Sequence, residues 1–274
     1  MAHLNFHVEV LADSIRLDNR ITTMALTYPR IIHSEFMTHR SHSRNAASSR
    51  AIPISRMISD VLESPFVPLH WGANQAGMQA RTALGDTESR SCTTLWLLQR
   101  SDAIAAVQKL SELGLHKQIA NRLLEPWMWI TVIATANQAG WDNFFGLRCH
   151  EDAEPHINKI ACMALDEMSQ SAPILLPQGE WHLPLIGFEG DEELSTSDKV
   201  KVCVGRCARV SYLTHDGKRD PAKDIALHDQ LVASGHWSPF EHAAQASPDA
   251  SGGNLGLNWL QYRKTFAGES CKTN

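Results

Sequence analysis

The stretch that most narrows the folds open to this chain is Trp127 to Asn137, strongly apolar and rich in Trp, Ile and Val. Left in water, such a run forfeits about 25 cal/mol for every Å² of apolar surface, so it belongs at the centre of a core. It reads as a buried helix, although its periodicity does not exclude a buried strand. On either side the pattern alternates between extended and helical. Phe6, Val8 and Val10 alternate within Asn5 to Leu11 as a strand does, and Ile21 to Leu26 is a second extended run, broken near Tyr28 and Pro29.

Several helices follow. Ile54, Ile58 and Leu62 recur at four-residue spacing between Pro53 and Glu63, and Phe66 to Gly72 is a loop or extended segment. Ser101 is placed to cap a helix carrying Ile104, Val107 and Leu110 and ending near Gly114. Another covers His116 to Leu124 and stops at Pro126, and one runs through Ile157, Ile160, Ala164 and Met168. Pro173 to Pro184 is extended and Pro-rich and Glu189 to Glu193 is acidic, which together read as a surface connection. Ser197 is placed to cap a helix through Val200, Val204 and Val210. The most sharply bounded helix is Ala222 to Ala233, with Asp220 as cap, Pro221 at its first position and Gly235 just past its end.

At 274 residues, 43% hydrophobic and 20% charged, the chain builds a sizeable core as one large domain or two small ones. It has no run of eighteen apolar residues, and its first residues lack the basic and apolar regions of a signal peptide, so a soluble, cytoplasmic protein is expected. Six cysteines are scattered without a Cys-x-x-Cys pair. Cys203 and Cys207 fall on one face of a helix but have no nearby partners for zinc, so free thiols and no metal site are expected.

Against a formal charge of −5, the segment Thr38 to Arg50 gathers His39, Arg40, His42, Arg44 and Arg50 among small hydroxyls and Asn45. Planar guanidinium forks grip phosphate bidentately, and local basicity on an acidic background points to one bound anion rather than a polyanion surface. The acidic total and a pI near 6.3 argue against nucleic acid as the partner. A second segment, Asn137 to Arg148, taken alone is an aromatic core turn with one exposed Arg. A third, His236 to Ala243, contains Ser238 three residues before Glu241, the spacing of a capping box.

These segments resemble the flavin-dependent thymidylate synthases, whose motif is Arg-His-Arg, seven residues, and a Ser. His39 and Arg40 match, Ser41 to Ala47 fill the interval, Ser48 is the motif Ser, and Arg50 matches the Arg two positions later. The residues Tyr28 to Glu35 resemble the strand that delivers this motif, with Glu35 where a Gln is usual. Arg122, Pro126, Asn137, Asn143, Leu147 and Arg148 follow in the family's order, and Ala153 and Ile157 extend the match. Ala208 to Tyr212 and His236 to Ala243 resemble two further family blocks. Departures are Thr38 for the first Arg, Ala46 for a Glu, and Asp152, Glu154 and Pro155. In the family the last two blocks come before the Arg-His-Arg block. The resemblance therefore implies a circularly permuted chain, its old junction near residues 173–193.

What the resemblance implies is an α+β fold, one domain over residues 1–274 with a central, mostly antiparallel sheet and packed helices. It implies transfer of a one-carbon unit from methylenetetrahydrofolate to C5 of a pyrimidine deoxynucleotide, dUMP to dTMP ahead of dCMP, using FAD recharged by NADPH. Either a methyl or a hydroxymethyl product is open, as is a non-catalytic nucleotide-binding member. By the same matches Arg148 and Ser48 are catalytic, and Glu35, Ser48, Ser49, Arg50, Arg122 and Arg148 contact the nucleotide. His39, Arg40, Ser41, Asn137, Asn143, Leu147, His236, Ser238 and Glu241 contact the flavin. The active sites are expected where subunits of a homotetramer meet. Trp259 to Lys264 would follow the Glu241 block towards the nucleotide or another subunit.

Overall fold

In the computed structural model, residues 4–46, 48–213 and 219–269 are described; Ala47 and Cys271, and the side chain of Val210, lie outside that set. Among the described residues eight strands run in chain order: β1 (His7–Arg16), β2 (Asn19–Pro29), β3 (Ser43–Ala46), β4 (Trp129–Asn137), β5 (Ile174–Leu175), β6 (Trp181–His182), β7 (Ala244–Gly252) and β8 (Leu257–Gln261). The helices are α1 (His33–Phe36), α2 (Ile54–Glu63), α3 (Asp86–Glu112), α4 (Lys117–Ala120), α5 (Gln138–Arg148), α6 (Pro155–Gln170), α7 (Thr196–Leu213) and α8 (Pro221–Ser234). The fold is α+β. A five-stranded sheet in the order β3-β4-β2-β1-β5 is antiparallel except for the short parallel pairing of β1 with β5, and a three-stranded sheet runs β6-β7-β8.

From Trp129 on, the run at 127–137 is therefore a strand, not the expected helix. It lies next to β2 with Met24 opposite Ala134 and Thr23 opposite Thr135. Both faces of β4 are covered. Ile130, Val132, Ala134 and Ala136 join Met24, Leu26 and Tyr28 against Trp141 and Phe144 of α5 and Ile157 and Ile160 of α6. On the other face Ile133 meets Cys203 and Cys207 of α7 and Ala243, while Ile21 meets Ala246 and Trp259 of the smaller sheet. A strand buried on both sides loses the alternation that identifies strands, which is why its sequence misleads.

Other boundaries also move. The second strand starts at Asn19, before Ile21, and ends at Pro29 where the break was expected, and α1 carries Glu35 on a helical turn instead of a strand. In α2 the buried residues are Met57 and Val61, whereas Leu62 is exposed. Helix α3 starts at Asp86, so Ser101 lies inside it and donates to the Leu97 carbonyl. The expected helix from His116 shrinks to α4 followed by a 3-10 turn, Asn121–Trp127, that contains Pro126. The aromatic turn at 137–148 is helix α5, with Asn137 as its cap. Ser195, not Ser197, caps α7, its hydroxyl accepting from the Asp198 N–H at 3.1 Å. Helix α8 is as expected: the Asp220 carboxylate accepts from the Lys223 N–H, and Gly235 takes the left-handed conformation.

The surface connection is partly buried. His182 bridges the Ser14 and Thr23 hydroxyls at 2.8 Å each, Thr23 meets Thr135 at 2.7 Å, and Thr135 meets His242 at 2.8 Å. This chain of fully enclosed polar groups joins the small sheet and the 236–243 segment to the large sheet. Among the described residues no helix is long and apolar enough to cross a membrane.

Candidate active site

The chain leaves β2 at Pro29, makes a 3-10 turn at Arg30–Ile32, then turns through α1 and the loop that starts the basic segment. This brings Glu35, Thr38 and His39 beside the last residue of α5. The Arg148 Nε–H donates to His39 Nε2 at 2.9 Å, an Arg148 NH2 hydrogen reaches the Thr38 hydroxyl at 3.4 Å, and its NH1 lies 3.6 Å from the Glu35 carboxylate. His39 accepts at Nε2, which puts its proton on Nδ1. Burial, with Arg148 and Arg44 nearby, pulls the His39 pKa down to about 4, so at neutral pH it is an uncharged holder of the guanidinium. Burial and the neighbouring Glu154 raise the Glu35 pKa, and Arg148 opposes them.

Glu35 and Arg148 line a cavity of about 540 Å³ whose far wall is the 70–81 loop and the 151–156 turn. The departures from the family pattern are at work here. Asp152 holds the loop, its carboxylate 2.5 Å from Arg81 and its carbonyl accepting from Gln79 at 2.8 Å. Glu154 caps α6 and pairs with the buried His156, whose Nε2 accepts from the Leu69 N–H at 2.9 Å.

A second group forms around Glu125. Its carboxylate accepts from the Ser49 hydroxyl at 3.1 Å and Arg122 NH1 at 2.9 Å, and lies 3.4 Å from Arg30. Ser48 and Arg50 stand next to it, the Ser48 Oγ accepting from the Arg50 N–H at 3.3 Å. Arg122, Arg30 and Ser34 line a neighbouring cavity of about 520 Å³, so α1 separates this space from the Arg148 cavity, presenting Ser34 to one and Glu35 to the other.

The third motif meets the first. The Ser238 hydroxyl donates to the Arg44 carbonyl at 3.1 Å instead of capping a helix, and Glu241 pairs with Arg263; residues Ser238–Glu241 form a 3-10 turn, so the capping-box reading fails. Arg44 NH1 donates to the carbonyls of Met37 and His39 at 2.7 and 3.0 Å, which fixes the loop carrying His39 and Arg40.

The remaining flavin candidates are spread over this surface. The Asn137 side chain accepts from the Gly140 N–H at 2.9 Å, and a Cβ at Gly140 would lie 3.2 Å from the Ser41 hydroxyl, which places Ser41 beside the start of α5. Asn143, Leu147 and His236 are exposed. Sequence reasoning missed Glu125, the 73–81 loop and the roles of Arg44 and Arg263. Arg44 and Arg263 stood in stretches already marked.

The family model described as thymidylate synthase complementing protein matches residues 19–174, more than half of the chain. The chain belongs to this family. It is thereby a thymidylate synthase-like methyltransferase. A UMP/dUMP methylase, PolB from Streptomyces cacaoi bound with 5-Br UMP, is 15% identical, with a TM-score of 0.52 covering 62% of this chain and 90% of that one. The PolB structure bound with 5-Br dUMP is 16% identical, with a TM-score of 0.46 covering 57% and 67%. At this identity the first of these likenesses speaks for the fold alone. Among curated proteins none matches the chain.

Proposed function

We propose that this family member transfers a one-carbon unit from methylenetetrahydrofolate to C5 of a pyrimidine deoxynucleotide, with dUMP preferred to dCMP, using FAD and NADPH. The observation that carries the reading is Arg148, oriented by His39, Thr38 and Glu35 on the wall of a cavity. For C5 to act as a nucleophile the ring must first take on enolate character, with negative charge shared by the ring oxygen. A fixed guanidinium positioned before the reaction stabilises that charge without reorganising. The neutral His39 leaves the full positive charge of Arg148 available.

Glu35 sits where it faces either the base or the sugar. A carboxylate accepts from the N4 amino group of cytosine and opposes the O4 of uracil unless it is protonated. Burial and Glu154 raise its pKa while Arg148, 3.6 Å away, lowers it. Ser48, Ser49, Arg50 and Arg122 supply the phosphate and sugar contacts in this reading, with Glu125 holding Ser49 and Arg122 in place.

The residues present fit a flavin nucleotide. Arg40 and Glu241 line one cavity in which Arg40 takes part in none of the ion pairs among the described residues, and a Cβ at Gly253 would come 2.3 Å from the Gln261 side-chain oxygen. A bound reduced flavin supplies the electrons that turn the transferred carbon into a methyl group. His39, Arg40, Ser41, Asn137, Asn143, Leu147, His236, Ser238 and Glu241 would hold it. Asn143, Leu147 and His236 face outward in the single chain, which supports a site completed by other subunits of a homotetramer.

A permuted order agrees with two observations. The family match ends at residue 174, at the start of the 173–193 connection. The blocks that would have exchanged places are joined by the Ser238 and Arg44 contact and by Thr135 and His242.

The test is incubation of flavin-loaded protein with dUMP or dCMP, NADPH and methylenetetrahydrofolate, followed by mass analysis. A methylated or hydroxymethylated nucleotide is the expected product. Failure of a flavin-loaded oligomer to modify either nucleotide refutes the reading.

A further inference from the structure

The turn that carries Ser48 and Arg50 lies between β3 and α2 and has little structure of its own. Among the described residues its backbone closes one bond, the Ala51 N–H donating to the Ser48 carbonyl at 2.9 Å. Carbonyls packed away from water need donors from elsewhere. Here they come from another part of the chain, which places a polar side chain at every fourth position: Lys117 in α4, then Asn121 and Glu125 in the 3-10 turn after it. The Lys117 ammonium donates to the Ala51 carbonyl at 2.8 Å. The Asn121 amide uses both hydrogens, on the Ser49 carbonyl at 2.8 Å and the Ile52 carbonyl at 2.9 Å. Glu125 accepts from the Ser49 hydroxyl at 3.1 Å. Four bonds thus tie Ser49, Ala51 and Ile52 to one ladder of side chains.

The ladder has a fixed base. Asn121 is fully enclosed, and its neighbours Ala120 and Leu124 pack with Met57 and Val61 of α2 in an apolar cluster that Ile52 joins. The turn is sorted by side as a result. Ser49 is buried against the ladder, whereas Ser48 is half-buried and Arg50 is exposed. The groups left facing outward are those a ligand would meet. A hydroxyl and a guanidinium on an unheld turn would have to be ordered as the ligand arrives, and that entropy would be lost from binding. A turn held beforehand avoids the loss.

We propose that Lys117, Asn121 and Glu125 are positioning residues that hold residues 48–52 in the shape presenting Ser48 and Arg50 to the nucleotide. That the ligand is the nucleotide rests on the function proposed above; the ladder itself does not. Because it acts before any bond is made or broken, the ladder governs nucleotide affinity and not the rate of carbon transfer.

The test compares Lys117→Met, which keeps the aliphatic stem and removes one donor, with the conservative Lys117→Arg. Asn121→Ala strips two carbonyls at once; if it does not fold, the Lys117 pair carries the test. Glu125 is left unchanged because it also holds Arg122. Amide hydrogen exchange, read by mass spectrometry on flavin-loaded protein without nucleotide, should quicken across residues 48–52 in Lys117→Met and return towards wild type in Lys117→Arg. The dUMP dissociation constant, by calorimetry, should rise about tenfold in Lys117→Met, the scale of one charge-assisted hydrogen bond, and recover in Lys117→Arg. Turnover at saturating dUMP should stay within about twofold. Unchanged exchange in folded Lys117→Met overturns the ladder. Quickened exchange with unchanged dUMP affinity, where Arg50→Ala does weaken dUMP, overturns the positioning role, as does a loss confined to turnover. Quickened exchange where neither Lys117→Met nor Arg50→Ala changes dUMP affinity upholds the ladder and refutes the nucleotide assignment of this turn instead.

Discussion

Mild acid should unfold this protein by charging its enclosed imidazoles. His42, His182 and His242 are 2%, 1% and 0% exposed. Burial is the main cause that lowers their pKa values, to about 3, about 4 and about 3 from an ordinary 6.5. Above pH 6.5 both folded and unfolded states carry these rings neutral, and stability does not depend on them. Between 6.5 and about 4 only the unfolded chain takes up the protons, so stability falls as pH drops. The loss is complete below about 3, where both states are charged. At pH 5 each ring costs about 2 kcal/mol, and the three together about 6 kcal/mol. Total stabilities of domains run to about 5–15 kcal/mol, so this share is decisive. Glu35 and Asp224, whose pKa values burial raises, act in the opposite direction, and only in the carboxyl range. Urea midpoints followed by Trp fluorescence from about pH 8 to about pH 5 measure the effect, with the slope proportional to proton uptake. His182→Gln should lower stability at pH 8 yet flatten the curve by about one proton. A urea midpoint that stays level between pH 7 and pH 5 would refute the reasoning.

Three other outcomes are expected. Arg148→Ala should reduce turnover about 10²-fold or more while flavin stays bound, as steady-state kinetics and absorbance would show; normal turnover would remove Arg148 from the ring contact. Glu35→Gln should change the dUMP to dCMP turnover ratio several-fold, read by competition between the two nucleotides, and an unchanged ratio would place base choice elsewhere. Arg206, 1% exposed and clamped on Asp191 at 2.6 and 2.7 Å, also lies 3.3 Å from Asp224. Arg206→Met leaves the Asp191 carboxylate buried without its guanidinium and Asp224 with Arg209 alone, and should cost about 3–5 kcal/mol by urea denaturation.

The sequence revealed most where local chemistry decides structure. Asp220, Pro221 and Gly235 bound α8 because a cap, a ring and a left-handed residue act over a few positions. The stripe of Ile157, Ile160, Ala164 and Met168 in α6 was legible because only one face is buried. The first part of α3 was not, since much of it is exposed and polar and carries no stripe to read. In the candidate site, the residues around Arg148 were legible one by one from motifs. Their pairing with Glu35, 113 positions away, was not, because it depends on how β2 and α5 pack. Nor could the sequence show Arg263 reaching Glu241, or Glu125 collecting Ser49, since these are contacts between turns.

The segment between β5 and α7 has a consequence for anyone who would cut, tag or lengthen the chain. It behaves as a strap with two rivets: His182, sunk between Ser14 and Thr23, and Asp191, gripped by Arg206. Extra residues placed at Gly179, where a Cβ would meet nothing within 4 Å, give up its backbone bonds with Ala246 and Gln245 but extend the strap without lifting a rivet. Doubling such a loop costs only about 0.6 kcal/mol in closure entropy. Added length at either rivet would drag a buried polar group out of its partners. The places where this polypeptide tolerates opening are therefore set by two hidden side chains, whatever the turns around them look like from outside.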